Sequence, residues 1–135
     1  MAPRVQDIPR TLGSQTIGMT IQTVASGHRS SRRHRHVFQE EILIVMCGTG
    51  DLLLGDSRIA VGPGTCVNDR PDDPAPHCFE STGAEDLVIW AFGNRFAHEV
   101  CLYPDEGIAF GEGLGADAPL SEAVAISWTE DRRQR

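Results

Sequence analysis

His34-Arg35-His36-Val37-Phe38-Gln39-Glu40-Glu41-Ile42-Leu43-Ile44-Val45-Met46-Cys47-Gly48 is the stretch on which the reading of this chain turns. A strand sends alternate side chains to one face, so His34 and His36 offer two imidazoles to one ion while Arg35 turns away. Glu41 stands five residues past His36, the wrong parity for that face of a continuous strand. The chain must therefore bend through residues 37–39 before the carboxylate returns, as a hairpin would allow. Residues 41–47 are a strand by composition, with Ile42, Leu43, Ile44 and Val45 bulky or β-branched, and Gly48-Thr49-Gly50 ends it. Glu41, Leu43, Val45 and Cys47 would share one face of it.

The spacing of His34, His36, Glu41 and Gly48, with Val45 between the last two, resembles the first motif of the cupin superfamily in its germin-like form. That resemblance implies a fourth ligand from a second motif some thirty to forty residues on, where His77 is the histidine available. The family pattern Pro-x-Gly-x-x-His-x-x-x-Asn is replaced here by Asp72-Asp73-Pro74-Ala75-Pro76-His77, with Ser81 where Asn would stand. The ligand is kept while the Pro-x-Gly approach and the Asn are lost. The resemblance implies an all-β fold, a double-stranded β-helix or jelly-roll barrel, over residues 15–103. It also implies one divalent transition metal, Fe(II), Mn(II), Zn(II) or Ni(II), held by His34, His36, Glu41 and His77. A one-residue slip of the hairpin would present Glu40 instead, and the six-residue spacing to Gly48 favours Glu41.

Composition narrows the chemistry. The 135 residues suit one domain, and 14 Gly and 8 Pro favour short strands and tight turns over long helices. All 12 basic residues are arginine, which removes lysine Schiff bases and lysine-bound pyridoxal phosphate, and no organic cofactor is expected. A net charge of -7 argues against nucleic acid as a partner. No signal-like or membrane-spanning apolar run is present, so a cytoplasmic protein without a membrane partner is expected. Cys47, Cys66, Cys78 and Cys101 lie singly in apolar runs without Cys-x-x-Cys spacing and read as reduced core thiols.

Along the chain, residues 1–14 read as an amino-terminal arm lying on the surface or on a neighbouring subunit. Residues 16–24 alternate, with Ile17, Met19 and Ile21 on the buried face of a strand. Residues 28–35 read as an arginine-rich strand, either an anion patch or a solvated face. Residues 51–54 and 57–61 form a hairpin around Gly55-Asp56, Gly62-Pro63-Gly64 is a second turn, and residues 65–68 are a strand. Residues 69–76, with three prolines and three aspartates, are a loop. His77, Phe79 and Ser81 share one face of the next strand, and residues 87–92 form its partner. Residues 104–135 make a carboxy-terminal extension, with a glycine-rich loop at 107–115 and either an edge strand at 124–128 or a helix from Ser121. Exposed sheet edges lead to the expectation of a homodimer.

Two function classes follow. One is a metal-dependent enzyme on a small polar metabolite, by oxygenase chemistry or by Lewis-acid isomerisation, decarboxylation or elimination. The other is a non-catalytic protein that binds a small ligand or uses the metal structurally. For the enzyme, Asp72 and Asp73 are candidate bases at the mouth, and Leu43, Val45 and Phe79 are candidate substrate-binding walls. Arg32 shares the histidine face if its strand is regular, and either binds a substrate anion or pairs with Glu41 or Asp72.

Overall fold

The computed structural model describes residues 2–111 and the strand Ala116–Pro119. In order the elements are β1 (Arg4–Asp7), α1 (Ile8–Leu12), β2 (Ile17–Val24), β3 (Arg35–His36), β4 (Glu41–Cys47), β5 (Gly50–Leu54) and β6 (Ser57–Val61). They continue with β7 (Cys66–Asp69), β8 (His77–Ser81), β9 (Leu87–Asn94), β10 (Val100–Tyr103), β11 (Ile108–Gly111) and β12 (Ala116–Pro119). One sheet has the order β1-β2-β9-β4-β7, and the other side is formed by β6-β5-β8 and β12-β11-β10-β3. Residues 29 and 34 bridge to β8 and join these two sheets, completing an all-β double-stranded β-helix. No helix among the described residues is long and apolar enough to cross a membrane.

Strand alternation builds the interior. Leu43 pairs with Ala91 and Val45 with Ile89 across β4 and β9, and directly paired residues lean to one face. That face meets Leu52 and Phe79 from the opposite sheet, with Val24 and Leu87 closing one end. Each of these large side chains contributes roughly 1.5–3 kcal/mol by leaving water. Leu43, Val45 and Phe79, candidates for a substrate wall, are 3%, 1% and 1% exposed. They belong to the sealed core.

Several sequence expectations change. Residues 1–14 do not lie loose, because the open edge of β2 takes β1 as an antiparallel partner, Arg4 opposite Thr23 through Asp7 opposite Thr20. The inward face of β2 is Gly18, Thr20, Gln22 and Val24, which pair with Gly93, Ala91, Ile89 and Leu87. Ile17, Met19 and Ile21 face outward, and Ile17 is 62% exposed. Residues 28–34 are bent, not a strand. Arg29 bridges Glu80 and His34 bridges His77, so five steps along this segment match three along β8 and two residues loop out. A bulge between Val45 and Cys47 breaks the alternation of β4 and turns Cys47 outward. Cys47 and Cys66 are accordingly exposed while Cys78 is buried, all four thiols being free. The glycine-rich stretch contains a strand, because Ile108–Gly111 completes the edge of β10 and then receives β12. The sheet of β10 therefore continues beyond residue 103. The alternatives at residues 121–128 lie outside the described residues.

Gly48 ends β4 with φ +77°, and a Cβ there would strike the Asp86 carbonyl. Gly48→Ala is expected to lose roughly 1–3 kcal/mol of stability. Urea unfolding checks this, and an unchanged midpoint would contradict the role assigned to the turn.

Candidate functional site

Four separate elements deliver polar side chains to one end of the barrel. His34 is fixed by paired backbone hydrogen bonds with His77, its N–H donating to the His77 carbonyl at 3.0 Å and its carbonyl accepting from the His77 N–H at 2.8 Å. His36 sits on β3 opposite Cys101 of β10. Glu41 opens β4 and is flanked by Asp69 of β7 and Gly93 of β9. The imidazole centroids are 5.1 Å apart for His34 and His36, 4.9 Å for His34 and His77, and 6.4 Å for His36 and His77. Glu41 Oε2 lies 3.3 Å from His36 Nε2. The chain thus gathers the three residues singled out by spacing with His77, which the resemblance implied, while Glu40 instead accepts from Asn68 Nδ2 at 3.2 Å.

The outer atoms of two rings are already engaged. His34 Nδ1 is 2.9 Å from the Arg32 carbonyl, which can only accept, so that nitrogen carries the proton and leaves Nε2 with its lone pair. His36 Nδ1 lies 3.5 Å from Glu99 Oε1 and 3.6 Å from Cys101 Sγ. His36 Nε2 is buried, and its 3.3 Å approach to Glu41 Oε2 does not have hydrogen-bond geometry. Burial of a polar nitrogen costs free energy unless something binds it. A divalent first-row transition ion answers that deficit with a donor set of imidazole and carboxylate, so the residues fit such an ion.

Glu99 was not anticipated. Its side chain is 2% exposed, and it accepts backbone N–H groups from Val37 at 2.9 Å, Phe38 at 3.2 Å and Gln39 at 2.7 Å. It therefore shapes the bend between β3 and β4 while holding His36 from behind. Nothing local marks it, because it lies some sixty residues from the turn it caps.

Asp69 was read as the first residue of a loop, yet it ends β7 and points inward. Its side chain is 4% exposed, with Oδ1 3.6 Å from His77 Nδ1. His36, Glu41 and Asp69 each bring a ligand atom within 4.8 Å of the others. The period-two pattern of residues 65–69 could have found it. Asp72, by contrast, pairs with Arg70 at 3.0 Å on the surface, and Asp73 accepts the Ala75 N–H at 2.9 Å within the turn. Arg32 pairs with neither Glu41 nor Asp72 but lies over the Tyr103 ring, 4.0 Å from its centroid. That ring is 5.8 Å from His34, so Arg32 stands at the lip of the cluster.

The electrostatics divide the histidines. Burial lowers His77 to about 4, with His34 acting in the same direction, and burial likewise lowers His34. Burial also pulls His36 down, but Cys101, Glu41 and Glu99 outweigh it and raise it strongly. Burial lifts Asp69 to about 7 against the pull of His36, with Glu41 adding to the rise. The rise at His36 reflects the two carboxylates, Glu41 and Glu99, that flank its ring.

The family described as Cupin domain matches residues 20–92. No curated protein matches the chain in sequence. Among solved structures, a sugar phosphate isomerase of a cupin superfamily from Silicibacter pomeroyi superposes with TM-score 0.83 and 22% identity, covering 90% of this chain and 78% of its own. A Cupin 2 conserved barrel domain protein from Salinispora arenicola gives 0.59 at 23% identity, covering 70% and 77%. The polyketide cyclase RemF from Streptomyces resistomycificus gives 0.59 at 20% identity, covering 68% and 64%. At these identities the likeness is one of fold.

Glu99 carries a testable pH dependence. Burial would raise its carboxyl, but His36 and the Val37 and Phe38 N–H groups outweigh this and hold it below 4.5. A lowered carboxyl stabilises the fold above pH 4.5, and that contribution drains as the pH falls through the lowered value. Glu99→Gln is expected to cost on the order of 1–3 kcal/mol at neutral pH. The gap from wild type should narrow below pH 4.5. Urea unfolding over a pH series reads both, and parallel curves for the two proteins would refute the assignment.

Proposed function

The chain belongs to the cupin domain family, and from that premise we propose that it is a metal-dependent enzyme acting on a small polar metabolite. His34, His36, His77 and Glu41 are the residues that would hold one divalent transition ion. The observation that carries this reading is the buried Nε2 of His36, 3.3 Å from Glu41 Oε2 without hydrogen-bond geometry to it, with Nδ1 of the same ring engaged on its other side. When bound, such an ion supplies Lewis-acid polarisation of a substrate oxygen or, if redox-active, oxygenase chemistry. Around it the protein fixes ring orientation through Glu99 and the Arg32 carbonyl, and Asp69 lies beside the His77 ring. Arg32, over the Tyr103 ring, would meet substrate at the lip. Catalysis, as against structural metal binding, is favoured by a cavity of about 480 Å³ that opens on Glu41.

Purified protein reconstituted with Fe(II), Mn(II), Zn(II) or Ni(II) is expected to retain one ion per chain, with His36→Ala and His77→Ala each losing it. Elemental analysis decides this, and unchanged metal content in both variants would remove the site. Turnover of small hydroxy, keto and amino acids by the loaded protein then separates enzyme from binder.

A homodimer is proposed from the outer face of the five-stranded sheet. Ile42 and Met46 are 48% and 40% exposed there, beside the half-buried Trp90 and Phe92. An apolar face of this kind favours association with a second copy. Sedimentation at micromolar concentration should give twice the chain mass, falling to the monomer in Ile42→Arg; a monomeric wild type would contradict it.

A further inference from the structure

The cavity that opens on Glu41 has a floor made by missing side chains. Gly18 of β2 and Gly93 of β9 are direct antiparallel partners, and Gly93 in turn pairs with Glu41 of β4. All three therefore look to the same inner face. Next along the face, Thr20 and Ala91 pair, so small residues continue the trough. A Cβ on Gly93 would come within 2.9 Å of the Glu40 carbonyl and 3.2 Å of Glu41 Cγ, and one on Gly18 within 3.1 Å of Arg95 Nε. The two glycines thus leave room for a carboxylate stem at one end and a guanidinium at the other.

Arg95 is held, not loose. Its backbone N–H donates to the Thr16 carbonyl at 2.8 Å, and its Nη2 donates to Asp7 Oδ1 at 2.6 Å. Among the described residues Asp7 is the only acceptor on that guanidinium, which leaves Nε and the other terminal nitrogen without a protein acceptor on a residue that lines the cavity. Arg10 lines the same end and also lies near Asp7, at 3.5 Å. Burial would raise the Asp7 carboxyl, but the Arg10 N–H and Arg95 outweigh it and keep it ionised at neutral pH. At this end of the cavity one carboxylate is set against two guanidiniums, and the other carboxylate of the lining, Glu41, belongs to the histidine cluster.

We propose that Arg95, supported by Asp7 and Arg10, binds the terminal oxyanion, carboxylate or phosphate, of a small metabolite whose other end reaches the histidine cluster. The proposal deepens the function proposed above by naming its substrate class, and it rests on that reading only for what happens at the histidine end. A guanidinium presents parallel N–H donors that match either oxyanion. β2, β9 and β4 are consecutive strands, so Arg95 and Glu41 stand on the order of 5–10 Å apart across the glycine floor. A short hydroxylated or keto-bearing chain spans that gap. Thr20 and Gln39 also line the cavity and offer a hydroxyl and an amide to such a chain.

The test titrates inorganic phosphate and, separately, acetate into full-length protein stripped of metal with a chelator, following amide shifts by NMR and heat by calorimetry. At least one anion is expected to bind, shifting the Arg95 and Gly18 amides, and the one that binds identifies the terminal group. Arg95→Met should weaken that binding by about ten-fold or more, given the strength of charged hydrogen bonds. Should Arg95→Met fail to fold, Arg95→Lys keeps the charge and loses the fork, and is expected to weaken binding by about five-fold. Arg58→Met alters a different arginine cluster, beside Arg29 and Arg33, and should bind as wild type does. The proposal is overturned if neither anion binds, if the Arg95 variants bind unchanged, or if Arg58→Met loses binding as strongly. Metal content measured in parallel keeps the two readings apart. Anion binding without metal uptake removes the metal centre alone, and metal uptake without anion binding removes this proposal alone.

Discussion

Glu99 accepts the N–H groups of Val37, Phe38 and Gln39 and backs His36, and the geometry of the candidate site depends on that set of bonds. The two histidines on one side of the bend and Glu41 on the other have opposite strand parity. They face each other only because the chain reverses between them. Three amide donors directed at one buried carboxylate make that reversal a fixed angle, since leaving any of them unpaired in the interior is costly. The barrel walls then close round a cluster whose relative orientation is already set.

The inner surface changes character along its length for a packing reason. At one end Val24, Leu87 and Phe79 fill the barrel to near complete burial. Towards the other end the facing pairs shrink to Thr20 with Ala91 and then Gly18 with Gly93. A solid core and an open cavity are thus made by one strand pair with a graded side-chain volume. The outward positions of β2 show the converse, because Ile17, Met19 and Ile21 leave the interior to small and polar residues.

Much of this was legible in the sequence. The spacing of His34, His36, Glu41 and Gly48 located the bend, the strand after it and the turn that ends it, because each depends on residues near in sequence. His77 was reachable through a family pattern even with its approach altered. Glu99 was not, since a carboxylate distant in sequence leaves no local trace of the turn it caps. The inward side of β2 was misread because apolar alternation normally marks the buried face, a rule that fails where the interior is a cavity. Asp69 was missed by one residue at a strand end, the boundary that pattern reading resolves least well.

The bridges at Arg29 and His34 enclose a segment two residues longer than the β8 run it matches. Residues 31–33 cross the distance that Cys78 alone crosses on the other strand. Their side chains are therefore free of the ladder, and Arg32 and Arg33 use that freedom to reach Tyr103 and Asp105. A change of side chain at Arg32 or Arg33 would leave both bridges, and the Arg32 carbonyl that orients the His34 ring, where they are. The barrel thus carries next to its cluster a rim that selection can rewrite without reopening the problem of how the chain folds.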